Sequence, residues 1–334
     1  MRAVQLIEPN HVEVNDIDIP TAEGKALVRV ETVGLCGTDR SIVAGKMNVP
    51  APLPLVMGHE AVGVVERPGP LGLLAAGQRV LVDPGSYCEV CDVCRRGFMN
   101  LCGNGGLLGR ELDGVFADYV AVTESNLLPV PDSISDDAAG LLQVLGTCVH
   151  SMRQAPVFPG DVAVVLGLGV GGQLISQLLR EQGCTVIGVT RSKWKRDLAD
   201  QLGAHITVEP ADAAQAVADA SGGRGAAVVV EAVGTEATFS QAIELCGPGG
   251  TVVLFGTATG GTAGLPYYLL YFKELTIRNP RGAKTTDYER GIQLVASGAV
   301  DPAPLVSKRF DLADANEALD AVADASTLKV LMTT

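Results

Sequence analysis

The stretch that most limits what this chain can fold into is residues 161–191, DVAVVLGLGVGGQLISQLLREQGCTVIGVTR. Val162–Leu166 is a β-branched apolar run that ends at Gly167-Leu168-Gly169-Val170-Gly171-Gly172. Leu174, Ile175, Leu178 and Leu179 then recur at helical spacing, and Gly183 falls where a helix C-cap belongs. A second apolar run, Thr185–Val189, completes a βαβ unit. In that setting G-x-G-x-x-G has a physical task. Gly167 permits the tight turn, Gly169 lets backbone approach a pyrophosphate, and Gly172 lets helix and strand pack closely. The helix N-terminus adds unpaired N–H groups and partial positive charge. With 40 glycines in the chain the glycine triplet alone would mean little; the strand before it and the helix and strand after it make it a dinucleotide site.

The end of the second strand separates the two nicotinamide dinucleotides. An acid there would hold the ribose 2′-hydroxyl of NAD, whereas an arginine accommodates the 2′-phosphate of NADP. Thr190-Arg191-Ser192-Lys193-Trp194-Lys195-Arg196 offers no carboxylate before Asp197. Thr190, Arg191, Ser192 and Lys195 are therefore read as cofactor residues with a 2′-phosphate pocket, favouring NADP and leaving NAD open. The competing reading is a solvated basic helix start.

A length of 334 residues suggests two domains, each able to bury its own core. A net charge of −13 argues against nucleic-acid or anionic-membrane partners, which need clustered Lys and Arg. No targeting segment or membrane-length apolar run is visible, so a cytoplasmic location is expected. The 8 cysteines then read as metal ligands or free thiols instead of disulfides.

Residues 1–150 differ in texture from the middle. Short strands at 12–14, 25–33, 59–66, 78–82 and 117–122, punctuated by Pro and Gly, predict a β-rich barrel or sandwich. Within it Cys88-x2-Cys91-x2-Cys94-x7-Cys102 matches an all-cysteine tetrahedral zinc site that staples a loop with no secondary structure of its own. An iron–sulfur cluster is the rival, disfavoured by the long last gap and by Arg95-Arg96-Gly97 where a Cys-Pro ending would stand. Cys36, Thr38 and Asp39, with His59 and Glu60, bring a thiolate, a hydroxyl, a carboxylate and an imidazole to one loop-rich region, the parts of an open zinc site. Each alone would pass for packing.

From residue 161 on, apolar runs at 205–208, 226–233, 250–255 and 275–278 alternate with helical stretches near 194–202, 211–220 and 236–245. That alternation means a doubly wound parallel α/β sheet. Ala232-Val233-Gly234 and Phe255-Gly256-Thr257 end strands on the edge where cofactors bind and are candidate nicotinamide-ribose contacts. Cys184 and Cys246 read as core thiols. Helices near 286–297 and 313–323 and a strand at 327–332 close the chain.

Taken together, Gly34-Leu35-Cys36-Gly37-Thr38-Asp39, Gly58-His59-Glu60-Ala61-Val62-Gly63, the four-cysteine lobe, Asp113-Gly114-x2-Ala117-Asp118-Tyr119 and residues 167–172 resemble the zinc-dependent medium-chain dehydrogenases/reductases over essentially the whole chain. The resemblance implies a GroES-like catalytic domain, 1–150 with 285–334 returning to it, and a Rossmann domain, 151–284, with the active site in the cleft between them. It implies that Cys36 and His59 bind catalytic zinc, that Glu60 is a nearby or alternating ligand, that Thr38 hydrogen-bonds the substrate oxygen and starts a proton relay, and that Asp39 orients the zinc-bound imidazole. Where polyol-type members carry Glu and alcohol-type members Cys as third ligand, this chain has Gln143, a neutral and poorer donor. Glu60 or water could complete the sphere; Cys148 is the runner-up, and His150 reads as structural. The aromatic stretch 265–272 lies where the family forms a subunit interface, implying a homodimer or homotetramer.

The function so implied is NADP(H)-preferring interconversion of a secondary alcohol (polyol, sugar or cyclitol) and its ketone by hydride transfer. Cys36-Gly37-Thr38 leans towards the sorbitol, sugar and threonine dehydrogenase-like members. Arg110, Glu111, Asp113 and Arg281 are candidate hydroxyl-binding residues, or solvated loop residues. The alternatives are reduction of aliphatic or aromatic aldehydes, or cofactor binding without catalysis, the reading that Gln143 keeps open.

Overall fold

Val162–Leu166 forms a strand buried along its whole length, as a strand covered on both faces requires. It stands third in a parallel sheet ordered Ile206–Val208, Thr185–Val189, Val162–Leu166, Ala226–Glu231, Cys246–Leu254, Thr276–Arg278. The chain winds outward from Val162–Leu166, then returns to its other side at Ala226–Glu231. That reversal leaves a crevice at the carboxyl ends of the two strands, where doubly wound sheets take their ligands. The structure, a computed structural model, describes residues 1–257 and 266–334. Leu265, the first residue of the aromatic stretch, lies outside them.

The helix Val170–Glu181 packs Leu174, Ile175, Leu178 and Leu179 into the core of this sheet. Gly183 follows its C-cap with φ +83°, the left-handed turn a helix end needs. The strand expected over 226–233 stops at Glu231. The cause is local: the Glu231 carboxylate takes the N–H groups of Val233 and Gly234, so they are lost to the sheet ladder. This sheet and its helices make one compact unit, Thr147–Gly282 with Ser297–Asp301.

The other unit comprises Met1–Gly146, Ala283–Ala296 and Pro302–Thr334. Its main sheet runs Leu127–Pro129, Arg79–Val82, Ala61–Arg67, Ala26–Leu35, Lys329–Thr333, Val306–Asp311, and Tyr119–Val122 pairs with part of Ala26–Leu35. Val28, Val30, Val33, Val65, Val80, Val82, Val330 and Met332 point into a shared apolar core. Lys329–Thr333 lies inside this sheet, antiparallel to Ala26–Leu35 with Val330 opposite Leu35. A smaller sheet joins Arg2–Glu8 to His11–Asp16 and Leu55–Val56. Arg2–Glu8 is not among the strands expected from the sequence.

The four-cysteine segment departs from its expected lack of structure. It contains the short helix Asp92–Arg95 and a 3-10 turn, Met99–Leu101. The Cys91 sulfur caps the helix by accepting from Cys94 N at 3.4 Å. A cysteine expected as a metal ligand thus doubles as an N-cap, a role for which spacing gives no sign.

Candidate functional site

Two sulfur-bearing clusters lie in the β-rich unit. In the first, the ligand atoms of Cys88, Cys91, Cys94 and Cys102 all lie within 4.8 Å of one another. The Cys88–Cys102 sulfur separation is 3.5 Å, far beyond a disulfide and close to the ~3.8 Å edge of a tetrahedral zinc–thiolate centre with ~2.3 Å bonds. The donor set fits zinc. Hydrogen bonds from the Cys91 and Val90 N–H groups hold the Cys88 thiol down to about 6, whereas burial pushes the Cys94 thiol up.

The second cluster starts where Ala26–Leu35 ends. Cys36 has extended backbone and opens the helix Gly37–Val43. The Asp39 carboxylate, three residues on, accepts from Cys36 N at 2.9 Å. Cys36 Sγ lies 3.3 Å from His59 Nε2, and these atoms and a Glu60 carboxylate oxygen fall within 4.8 Å of one another. The other imidazole nitrogen, Nδ1, faces Asp39 Oδ1 at 3.5 Å, with both side chains buried. Burial opposes a charged imidazole here, but the Cys36 thiolate and the Asp39 carboxylate outweigh it and hold the His59 pKa well above its ordinary value. Thiolate, imidazole and carboxylate converge at metal-binding range, and a second carboxylate stands behind the imidazole. This donor set also fits zinc.

Glu60 is not free to turn. Its Oε2 is 2.5 Å from Lys329 Nζ, and both side chains are only 2% exposed. The ammonium also donates to Leu35 O at 3.0 Å. Room for the pair comes from Gly34, where a Cβ would lie 2.7 Å from Lys329 Cε and 2.8 Å from Glu60 Oε2. Sequence reasoning overlooked Lys329, which reads as an ordinary strand-end lysine. Its only sequence signal is a lone cation opening the apolar run 330–332.

Gln143 lies buried in the same unit, and its Nε2 donates to Tyr288 Oη at 3.3 Å. That tyrosine was also overlooked. Thr38 sits in the first turn of Gly37–Val43, half-buried, with no hydrogen bond from its hydroxyl among the described residues. Cys148 is buried, 3.8 Å from Gly171 O, in the parallel-sheet unit. His150 Nε2 lies 3.0 Å from Gln154 Nε2. The polar loop candidates have structural bonds: Arg110 pairs with Glu111 at 2.9 Å, Glu111 accepts from Leu107 N at 3.0 Å, and Asp113 accepts from Val56 N at 3.0 Å.

In the parallel-sheet unit, Gly167 adopts φ +94°, and a Cβ at Gly172 would stand 1.9 Å from Gly167 O. Nothing lies within 4 Å of the place a Gly169 Cβ would fill, so the turn is open where phosphate would approach. Leu168 is buried beneath the turn, and Val170 begins the helix. Beyond Thr185–Val189 the basic residues are not equivalent. Lys193 pairs with Asp197 at 2.8 Å, and Arg196 with Glu209 at 2.9 Å and Thr190 O at 2.6 Å. Lys195 lies over the Trp194 ring, 5.2 Å from its centroid. Arg191 is exposed and has no ion pair among the described residues; Ser192 is the N-cap of Lys193–Leu202. Ala232, Val233 and Gly234 meet Phe255, Gly256 and Thr257 at the carboxyl edge of the sheet.

Comparison with known proteins agrees with both units. Residues 22–132 match the alcohol dehydrogenase GroES-like domain, and residues 169–297 the zinc-binding dehydrogenase family. The chain is 31% identical over 338 residues to the protein designated D-xylulose reductase A in Emericella nidulans, covering 97% of this chain and 93% of that one. It is 28% identical over 342 residues to D-arabitol-phosphate dehydrogenase of Enterococcus avium, covering 99% and 97%. A zinc-binding dehydrogenase of Sinorhizobium meliloti 1021, solved bound to NADP, superposes with a TM-score of 0.93 at 32% identity, covering 100% and 99%. The chain belongs to the zinc-dependent medium-chain dehydrogenases of the sugar and polyol type. It is an alcohol/polyol dehydrogenase whose cofactors are zinc and NAD(P). No helix among the described residues is long and apolar enough to cross a membrane.

One buried acid, bonded to the Tyr87 hydroxyl, gives a pH-dependent prediction. Desolvation raises the Asp83 carboxyl to about 6 from an ordinary 3.8, against hydrogen bonds from Gly85 N and Tyr87 Oη. The folded state therefore holds a proton that the unfolded state loses, and this group's contribution to stability falls as pH rises from about 4 to 6. Asp83→Asn keeps an acceptor oxygen without the charge. Relative to the wild type it is expected to gain on the order of 2 kcal/mol at pH 8, and to lose that advantage at pH 4. Thermal melts of both proteins across this range check it; a gap independent of pH would sink the assignment.

Proposed function

We propose that the chain oxidises a secondary alcohol of a polyol, sugar or cyclitol to its ketone, reversibly, with NADP(H) as the preferred dinucleotide. The observation that carries the cofactor preference is the lone Arg191. Its neighbours Lys193 and Arg196 are already paired with carboxylates, while its guanidinium has no ion pair among the described residues, and no acid beside it at residues 190–196 could meet a ribose hydroxyl. The similarity to an NADP-bound zinc-binding dehydrogenase supports the same reading.

In this reading Cys36 and His59 hold the catalytic zinc, with Gln143, Glu60 or water completing its sphere. Cys88, Cys91, Cys94 and Cys102 hold the structural zinc. When bound, zinc supplies polarisation of the alcohol oxygen, and the nicotinamide supplies the hydride acceptor. The residues of the chain do the rest. Asp39 faces Nδ1 of the imidazole at 3.5 Å, which leaves Nε2 as the ligand atom. Tyr288 engages the Gln143 amide nitrogen, leaving the carbonyl oxygen as its donor. Thr38 Oγ1, unengaged among the described residues, accepts the alcohol proton and passes it outward. Lys329 neutralises Glu60, so that its carboxylate can stand beside a thiolate without net repulsion.

In the other unit, residues 167–172 cradle the pyrophosphate. Thr190, Arg191, Ser192 and Lys195 take the adenosine ribose and its phosphate. Residues 232–234 and 255–257 take the nicotinamide ribose. The exposed aromatic residues of Tyr267–Phe272, among them Tyr267, Tyr271 and Phe272, support self-association as a homodimer or homotetramer. A cytoplasmic location fits the free cysteines.

The test is nicotinamide absorbance of the zinc-loaded protein with NADP and NAD separately, over polyols, aldoses, cyclitols, simple alcohols and the matching aldehydes. Turnover of a polyhydroxy compound with NADP is expected. Arg191→Ser is expected to raise the KM for NADP about tenfold and to leave that for NAD unchanged. An equal response of both dinucleotides would remove the 2′-phosphate pocket.

A further inference from the structure

Glu231 is a buried carboxylate with no part in either zinc cluster or in the phosphate turn. It ends the strand Ala226–Glu231, between Val162–Leu166 and Cys246–Leu254, and is 2% exposed. A charge so deeply buried is tolerated only when it is well hydrogen-bonded. Oε1 accepts from Val233 N and Gly234 N, each at 2.8 Å, and from Thr238 Oγ1 at 2.7 Å. The main-chain oxygen accepts from Phe255 N and Gly256 N, both at 2.8 Å. One residue therefore fastens the loops that follow two neighbouring strands.

The loops are packed as tightly as they are bonded. A Cβ on Gly256 would lie 2.3 Å from Gly234 N and 2.7 Å from Glu231 Oε2. On Gly167 it would lie 2.6 Å from Val233 Cγ2, so the clamp also abuts the phosphate turn. Thr238 belongs to the first turn of Glu236–Leu245, whose N-terminal dipole further favours the negative carboxylate. What the clamp holds outward is Val233, an aliphatic side chain left 49% exposed directly after a buried strand. An apolar side chain anchored at the ligand-binding edge of such a sheet is suited to the flat face of a heteroaromatic ring.

We propose that Glu231 is a positioning residue for the nicotinamide half of the dinucleotide. It holds Val233 as the apolar rest for that half and fixes the backbone of residues 232–234 against 255–257. The inference depends on the dinucleotide reading above and adds a division of labour to it. The adenosine half is held by residues 167–172 and 190–195, none of which bonds to the Glu231 side chain. Because the carboxylate acts as an acceptor and not as a proton carrier, an amide oxygen in its place can do much of the same work.

Fluorescence titration of the zinc-loaded protein with NADPH, and competition by 2′,5′-ADP as the adenosine-end fragment, test it. Glu231→Ala is expected to weaken NADPH about tenfold or more, and to leave 2′,5′-ADP within about twofold. KM for the cofactor should rise by more than kcat falls. Glu231→Gln should restore most of the NADPH affinity. Thr238→Val, which removes one bond to the carboxylate, should act in the same direction but less, and it serves if Glu231→Ala does not fold. Equal weakening of dinucleotide and fragment, or no weakening of either, overturns the proposal. A wild-type protein that binds neither removes the NADP preference, and the same variants are then read with NADH and 5′-AMP; a wild type that binds none of the four overturns the dinucleotide reading itself, a result distinguishable from the first two.

Discussion

Lys329→Met is expected to destabilise the β-rich unit by about 3–5 kcal/mol, because it leaves the Glu60 carboxylate buried without its counter-charge. The ammonium also holds Leu35 O, the carbonyl just before Cys36, so the loss falls on the backbone that presents the thiolate. Amide exchange in the strand Ala26–Leu35 reads the effect where it occurs. The double variant Lys329→Met with Glu60→Gln removes both charges and is expected to recover most of the protection, since replacing a whole buried pair costs far less than orphaning one member. If the single and double variants lose the same amount, Lys329 matters through packing and not through its charge.

Cys36→Ala is expected to lower kcat/KM about a thousandfold or more, while the protein keeps the zinc of the four-cysteine cluster and its affinity for NADPH. Metal analysis and cofactor titration separate these quantities from activity. Asp39→Asn tests the same site from behind: the imidazole keeps its position but loses a carboxylate partner, and a fall of about 10–100-fold in activity or zinc affinity is expected. Full activity of Cys36→Ala with unchanged metal content would place the chemistry elsewhere in the chain.

What the sequence made legible is what sits in one continuous stretch. The glycine turn carries its flanking strand and helix within about one βαβ unit, and three of the four lobe cysteines fall at two-residue spacing. Pairing across the fold was not legible. Glu60 and Lys329 are 269 residues apart, and Gln143 and Tyr288 are 145 apart. Nothing in either neighbourhood marks the partner, because the sheet register that brings Lys329 beside Leu35 is a tertiary fact. Glu231 was hidden for a different reason. One acid inside the apolar run 226–233 gives no sign of a role, and only the bonds it accepts show that it ends the strand and ties two loops together.

The interior place of Lys329–Thr333 also orders events during synthesis. Ala26–Leu35 is made early, yet the strand it pairs with there is separated from it by every strand of the parallel sheet. A chain emerging from the ribosome would display that strand edge, with Glu60 still without its Lys329 partner, until residues 329–333 emerge. Meanwhile the parallel sheet, whose strands all lie between residues 162 and 278, has all of its strands. The dinucleotide-binding half can thus mature first, and the waiting edge is where a nascent chain of this kind needs shielding from its neighbours.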